Sequence, residues 1–118
     1  MCGIAGFWDV TRHLDAERGA AAADGMTRAI RHRGPDDAGT WRDARVGLWL
    51  GHRRLSVIDL SPEGRQPMLS ANGRYAMVFN GEVYNHRRLR PELEAAGAHF
   101  RGHSDTEVML AAIERWGL

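Results

Sequence analysis

Lysine is missing from this chain of 118 residues, in which all 16 basic side chains are arginine. Its absence excludes Schiff-base chemistry and the phosphate-gripping lysine of a P-loop. A single cysteine excludes an internal disulfide and any cysteine-based zinc cluster. No sign of charge prevails either, because 15 acidic residues leave a formal net charge of +1 and hence no electrostatic footprint for nucleic acid. Long apolar runs are lacking too, and no basic segment precedes a hydrophobic one at the N-terminus. Neither a membrane span nor a secretory leader is therefore expected, which points to the cytoplasm. What remains is a glycine-rich globular composition, with 43% apolar residues, 26% charged residues and 14 glycines. The length suits one domain, able to bury roughly 65% of its unfolded surface.

Residues Gly3 to Trp8 read as a short buried strand that opens from the N-terminus. Asp15 to Arg31 is alanine-rich, with Ala22, Met26 and Ile30 at helical spacing, and is expected to be a helix. Arg33-Gly34-Pro35-Asp36-Asp37 signals a turn. Runs at Val46 to Leu50, Leu55 to Ile58 and Tyr75 to Phe79 suggest antiparallel strands. Asn85 is placed to cap a helix towards Ala96, while Pro91 within it allows a start at the proline itself, so the sequence leaves this boundary open. Ser104 to Glu107 reads as a capping box, followed by Val108, Met109, Ala112, Ile113 and Trp116 on one helical face. The sequence stops just after this helix, which suggests a chain cut short.

The lone cysteine stands at position 2. Removal of Met1 would place a thiol and a free α-amine on one residue. That amine, with an unperturbed pKa of roughly 7.7 to 8.0, would be a general base beside its own nucleophile. The plain alternative is a small buried cysteine at a strand start. Asn80-Gly81 reads either as a type I′ hairpin turn or as a pair of donors, side-chain amide and backbone N–H, converging on a developing oxyanion. Arg53 and Arg54 end an apolar run as solvated charges or, in a cleft, supply a bidentate carboxylate clamp. Asp105 suits the first turn of a helix on dipole grounds, and Glu82 fits an exposed position. One cation with two anions nonetheless matches a zwitterionic amino acid, its carboxylate on Arg54 and its ammonium on Glu82 or Asp105. The six histidines offer no ligand spacing, since His99 and His103 in extended chain would stand roughly 13 Å apart, and no metal site is expected.

Five blocks in order, M-C-G-I-A-G at Met1, H-R-G-P-D at His32, H-R-R-L-S at His52, N-G-E-V-Y-N at Asn80 and S-D-T-E at Ser104, give the chain a resemblance. It resembles the glutaminase domain of glutamine-dependent asparagine synthetases, a class II glutamine amidotransferase of the N-terminal-nucleophile hydrolase superfamily. The resemblance spans nearly all of residues 1–118 and implies an α+β fold with four layers, two antiparallel sheets between helices, incomplete at the C-terminus. It implies Cys2 as nucleophile, Asn80 and Gly81 as oxyanion hole, Arg54 for the substrate α-carboxylate, and Glu82 and Asp105 for the α-ammonium and side-chain end. Arg33 to Asp36 would be a structural loop beside the pocket. Glutamine would be the substrate, with no cofactor in this chain. ATP and magnesium would belong to a C-terminal synthetase domain absent here, within a full-length enzyme that could be a homodimer. The rival expectation is an inactive glutamine-binding or docking fragment, or the glutaminase part of an amidotransferase with another carboxylate acceptor. An N-terminal-cysteine hydrolase of bile-salt or penicillin-like amides would lack the R-G-P-D and N-G-E-V-Y-N blocks.

Overall fold

The computed structural model describes residues 1–56 and 61–118. Its elements are β1 (Gly3–Trp8), α1 (Ala16–Ala29), β2 (Asp37–Asp43), β3 (Leu48–Arg54), β4 (Met68–Leu69), β5 (Ala76–Met77), α2 (His86–Ala95) and α3 (Asp105–Trp116). The architecture is α+β, with an antiparallel sheet in the order β1-β3-β2 and a separate β4-β5 ribbon among the described residues.

The N-terminal strand forms as expected, pairing Gly3 with Arg53 and Trp8 with Leu48. It is only half buried, since Ile4 and Trp8 lie on an exposed face. Helix α1 covers the opposite face. There Trp49 packs on Gly19 and stacks on Phe7, with ring centroids 5.9 Å apart. Gly51 lies against Thr27, where an added Cβ would come within 2.1 Å of the hydroxyl oxygen. The small residues are what let the helix seat this closely. The Asp15 side chain caps α1 by accepting from the Arg18 N–H at 2.8 Å, a bond worth about 1 kcal/mol.

Strand β2 is an addition to the sequence reading, which ends the turn at Asp37 and places no strand between it and Val46. The segment Asp37–Asp43 (DAGTWRD) lacks apolar alternation because it is the sheet's edge, paired only with β3 among the described residues. Its Gly39 admits the Gln66 carbonyl, which a Cβ would meet at 2.2 Å. Of the run expected at Val46 to Leu50, only Leu48 to Leu50 belong to β3, since Val46 and Gly47 form the turn before it; the strand continues through the polar residues His52 to Arg54. The strand expected at Leu55 to Ile58 is not found at Leu55 and Ser56, and Val57 and Ile58 lie outside the described residues.

Asn80-Gly81 is not a hairpin turn. The reversal between β4 and β5 is made by Asn72-Gly73, with Gly73 at φ +72° and the Ser70 N–H bonded to the Tyr75 carbonyl at 3.0 Å. Helix α2 starts at His86 rather than at Pro91. Its first turn is closed by the Asn85 carbonyl, which accepts from the Arg88 and Leu89 N–H groups at 3.0 and 3.1 Å. Asn85 makes no side-chain cap. Leu93 of α2 and Val108 of α3 are fully buried, forming the second core between these helices.

Candidate active site

Strand alternation decides which polar residues of β3 share a face. Trp49, Gly51 and Arg53 point to the α1 side, so His52 and Arg54 point to the other. There they line a cleft of about 360 Å³, within the range typical of small-molecule sites. All six residues singled out in the sequence border this one cleft: Cys2, Arg54, Asn80, Gly81, Glu82 and Asp105.

Cys2 is half-buried at the start of β1. Its Sγ accepts from the Leu55 N–H at 3.3 Å and its S–H faces the Leu55 carbonyl at 3.6 Å. The R-G-P-D block braces this corner. Arg33 Nε donates to the Cys2 carbonyl at 3.2 Å, and Arg53 Nε donates to the Gly34 carbonyl at 2.8 Å. Asp36 accepts from the Ser56 N–H at 2.7 Å. Gly34 is needed for the contact, because a Cβ there would lie 2.5 Å from the Arg53 carbonyl carbon. The loop is thus structural, as the sequence reading assigns it.

Arg54 is only 8% exposed. One terminal nitrogen donates to the Ser61 carbonyl at 2.8 Å, and Gly64 packs flat against the guanidinium, leaving no room for a Cβ. Asp105, 5% exposed, is the first residue of α3. Its carboxylate accepts from the Val83 N–H at 2.7 Å, so it joins the helix start to the N-G-E-V-Y-N segment as well as favouring the helix dipole. Ser104 caps the helix by accepting from the Glu107 N–H at 3.1 Å. The Glu107 carboxylate reaches back to the Arg101 and Gly102 N–H groups at 2.7 and 3.0 Å. Asn80, Gly81 and Glu82 are exposed at the rim, with Gly81 against the Phe79 ring.

Among the other residues that border the cleft, two buried ones bond to the backbone of Phe79. His52 is 1% exposed, and its Nε2 stands 3.2 Å from the Phe79 carbonyl, which requires the proton on Nε2. Nδ1 is buried without a hydrogen-bond partner. Burial pushes the imidazole pKa below its usual value, and Arg54 adds to that, against the opposing effects of the Phe79 hydrogen bond and Asp37. Gln66, also buried, accepts from the Phe79 N–H at 2.6 Å and donates to Thr106 Oγ1 at 3.3 Å. Alternation along β3 was the available signal for His52; Gln66 carries none, since its role depends on a contact 13 residues away. Among the described residues no group of three or more His, Cys, Asp and Glu side chains is arranged to hold a metal ion.

Comparison with known proteins puts a class to this cleft. The family model described as a glutamine amidotransferase domain matches residues 1–118, and the chain belongs to that family. Among its relatives, asparagine synthetase [glutamine-hydrolyzing] 3 of Bacillus subtilis is 42% identical over 118 residues, covering 98% of this chain and 18% of that protein. A putative asparagine synthetase [glutamine-hydrolyzing] of Mycobacterium tuberculosis H37Rv is 41% identical, covering 99% of this chain and 20% of that protein. The amidase chry2 of Gibberella zeae is 38% identical over all of this chain and 18% of its own length. The chain therefore spans about a fifth of the length of the curated relatives it matches.

Proposed function

We propose that this chain hydrolyses glutamine to glutamate and ammonia through a cysteinyl thioester, and supplies the ammonia to an ATP-dependent synthetase domain that amidates aspartate to asparagine. The observation that carries the reading is the convergence on one cleft of a thiol, a buried arginine, a buried aspartate and the Asn80-Gly81 pair. They are the functional groups a glutaminase needs, and the family membership supports it.

With Met1 removed, the free Cys2 amine takes the thiol proton and the thiolate attacks the γ-carboxamide carbon. Asn80 Nδ2 and the Gly81 N–H stabilise the oxyanion that forms. Collapse breaks the C–N bond, and the amine's proton leaves with the departing NH₂ as ammonia. Water then adds to the thioester, glutamate departs and the thiol is restored. Arg54 binds the α-carboxylate, while Glu82 and Asp105 hold the α-ammonium and side-chain end. Met1 is 79% exposed, which suits its removal by a processing peptidase.

The open apolar face of β1 and β3, carrying Ile4, Trp8, Leu48 and Leu50, suits a second sheet stacked on it in a four-layer sandwich. ATP and magnesium act in the synthetase domain and the chain itself takes no cofactor; the assembled enzyme is cytoplasmic and dimerises. No helix among the described residues is long and apolar enough to cross a membrane. Glutamate release from glutamine is the test. Processed protein is expected to turn over and Cys2→Ala to lose turnover entirely; unchanged glutamate release in Cys2→Ala would refute the reading.

A further inference from the structure

We propose that His52 and Gln66 are positioning residues that hold the Asn80-Gly81 pair in register with the Cys2 sulfur. The inference rests on the glutaminase reading and adds to it a source for the precision that reading needs.

Strand β5 ends at Met77, and from Val78 to Val83 the chain runs without regular structure. A segment like this has no ladder to fix it, yet it carries both proposed oxyanion donors. Its backbone is held instead by side chains from three other places in the fold. At Phe79, Gln66 Oε1 takes the N–H at 2.6 Å and His52 Nε2 gives to the carbonyl at 3.2 Å, so both faces of the residue preceding Asn80 are fixed. At Val83, Asp105 takes the N–H at 2.7 Å. The three intervening residues are Asn80, Gly81 and Glu82. Gln66 also donates to Thr106 beside Asp105, joining the two clamps. The Phe79 ring in turn underlies Gly81, where an added Cβ would meet it at 2.8 Å. Fixing Phe79 therefore fixes the surface against which Gly81 packs.

Two features separate His52 from an ordinary core residue. It is buried in an otherwise polar stretch of β3, and only one of its ring nitrogens has a partner. An imidazole kept there with an orphaned Nδ1 carries a desolvation penalty that a leucine would avoid. Its Nε2 donor is what the position gains in return. Neither His52 nor Gln66 is placed here in contact with the reacting atoms, so each acts through Phe79.

The experiment uses the full, processed protein with His52→Leu, His52→Gln and Gln66→Leu. A displacement of about 1 Å at a catalytic group costs on the order of 100-fold, so His52→Leu and Gln66→Leu are expected to lower kcat for glutamine by about 10- to 100-fold. KM is expected to stay within about threefold, because Arg54 and Asp105, which lie outside the displaced segment, still bind the amino acid. The discriminating readout is affinity for the aldehyde analogue of glutamine, whose adduct with Cys2 bears an oxyanion. It should weaken in step with kcat, while affinity for glutamate stays level. His52→Gln, which keeps an N–H donor, should recover most of the loss. Unchanged kcat in both leucine variants, or equal losses of aldehyde and glutamate affinity, would overturn the proposal. A wild-type protein that releases no glutamate, or a Cys2→Ala variant that still does, would instead overturn the glutaminase reading.

Discussion

Gly64→Ala tests the Arg54 clamp without touching Arg54 itself. Gly64 closes the 3₁₀ turn Pro62–Gly64, and its φ is not in the left-handed region, so alanine is tolerated by the backbone. The new Cβ would lie 2.2 Å from one terminal nitrogen of Arg54 and 2.8 Å from the central guanidinium carbon. Ordinary contact is roughly 3.5 Å, so the guanidinium must retreat by about 1 Å or swing away. The stability cost is small, because the far end of a long side chain can move. The binding cost is not. If Arg54 holds the substrate carboxylate as proposed, a charge-assisted hydrogen bond contributes about 1.5 to 3 kcal/mol, and losing one is expected to raise KM for glutamine by about 10- to 100-fold. Steady-state glutamate release measures it, with thermal melting as control: KM should rise while Tm moves by only a few degrees. A KM within about twofold of wild type, with the fold intact, would show that Arg54 does not hold the substrate.

Leu93→Ala empties a fully buried site between α2 and α3 and should cost about 2 to 5 kcal/mol in urea denaturation; a loss under about 1 kcal/mol would contradict that packing. Glu107→Ala leaves two N–H groups, on Arg101 and Gly102, without their carboxylate. A loss of about 2 to 5 kcal/mol is expected, and a stability equal to wild type would show that solvent replaces the carboxylate. His52 predicts a pH dependence of known sign. Its folded pKa lies below the unfolded value, so the unfolded chain binds more protons as the pH drops through about 6.5. The native state is then expected to lose stability between that point and the folded pKa, and to be unaffected by this residue at higher pH. Denaturation curves of wild type and His52→Gln should converge or cross as the pH falls; parallel curves would disprove the burial effect.

The residues that gather at the cleft are easier to read from the sequence than the strands that carry them. Cys2, Arg54, Asn80, Gly81, Glu82 and Asp105 stood out because each occupies a short motif whose residue types suit amide hydrolysis, and all six border one cleft. The helix at Asp105–Trp116 was equally legible, since its cap and apolar face are local signals. Strand β2 was not, because an edge strand made of DAGTWRD owes its conformation to hydrogen bonds with β3, which no local pattern records. Pro91 left the start of α2 open for a related reason: its cost falls one turn inside the helix, where the Asn85 carbonyl has already closed the first turn. Asn-Gly occurs twice in the neighbourhood, and only Asn72-Gly73 makes a tight turn. Among the described residues no strand follows Asn80-Gly81 to pair back on β5, and the residue before the pair, Phe79, bonds to His52 and Gln66 instead.

The pairing of Gly3 with Arg53 has a consequence for how such a chain tolerates length change. The separation of Cys2 from Arg54 is counted out in strand residues, so deleting one residue from Leu48–Arg54 would turn the guanidinium to the opposite side and carry it along by about 3.3 Å. Insertions near Ala44 or Asn72, at the tips of hairpins, leave that count untouched. Gaps in alignments of such chains should gather at the tips, and a designer wishing to graft a sensor or tag has those two places to choose from.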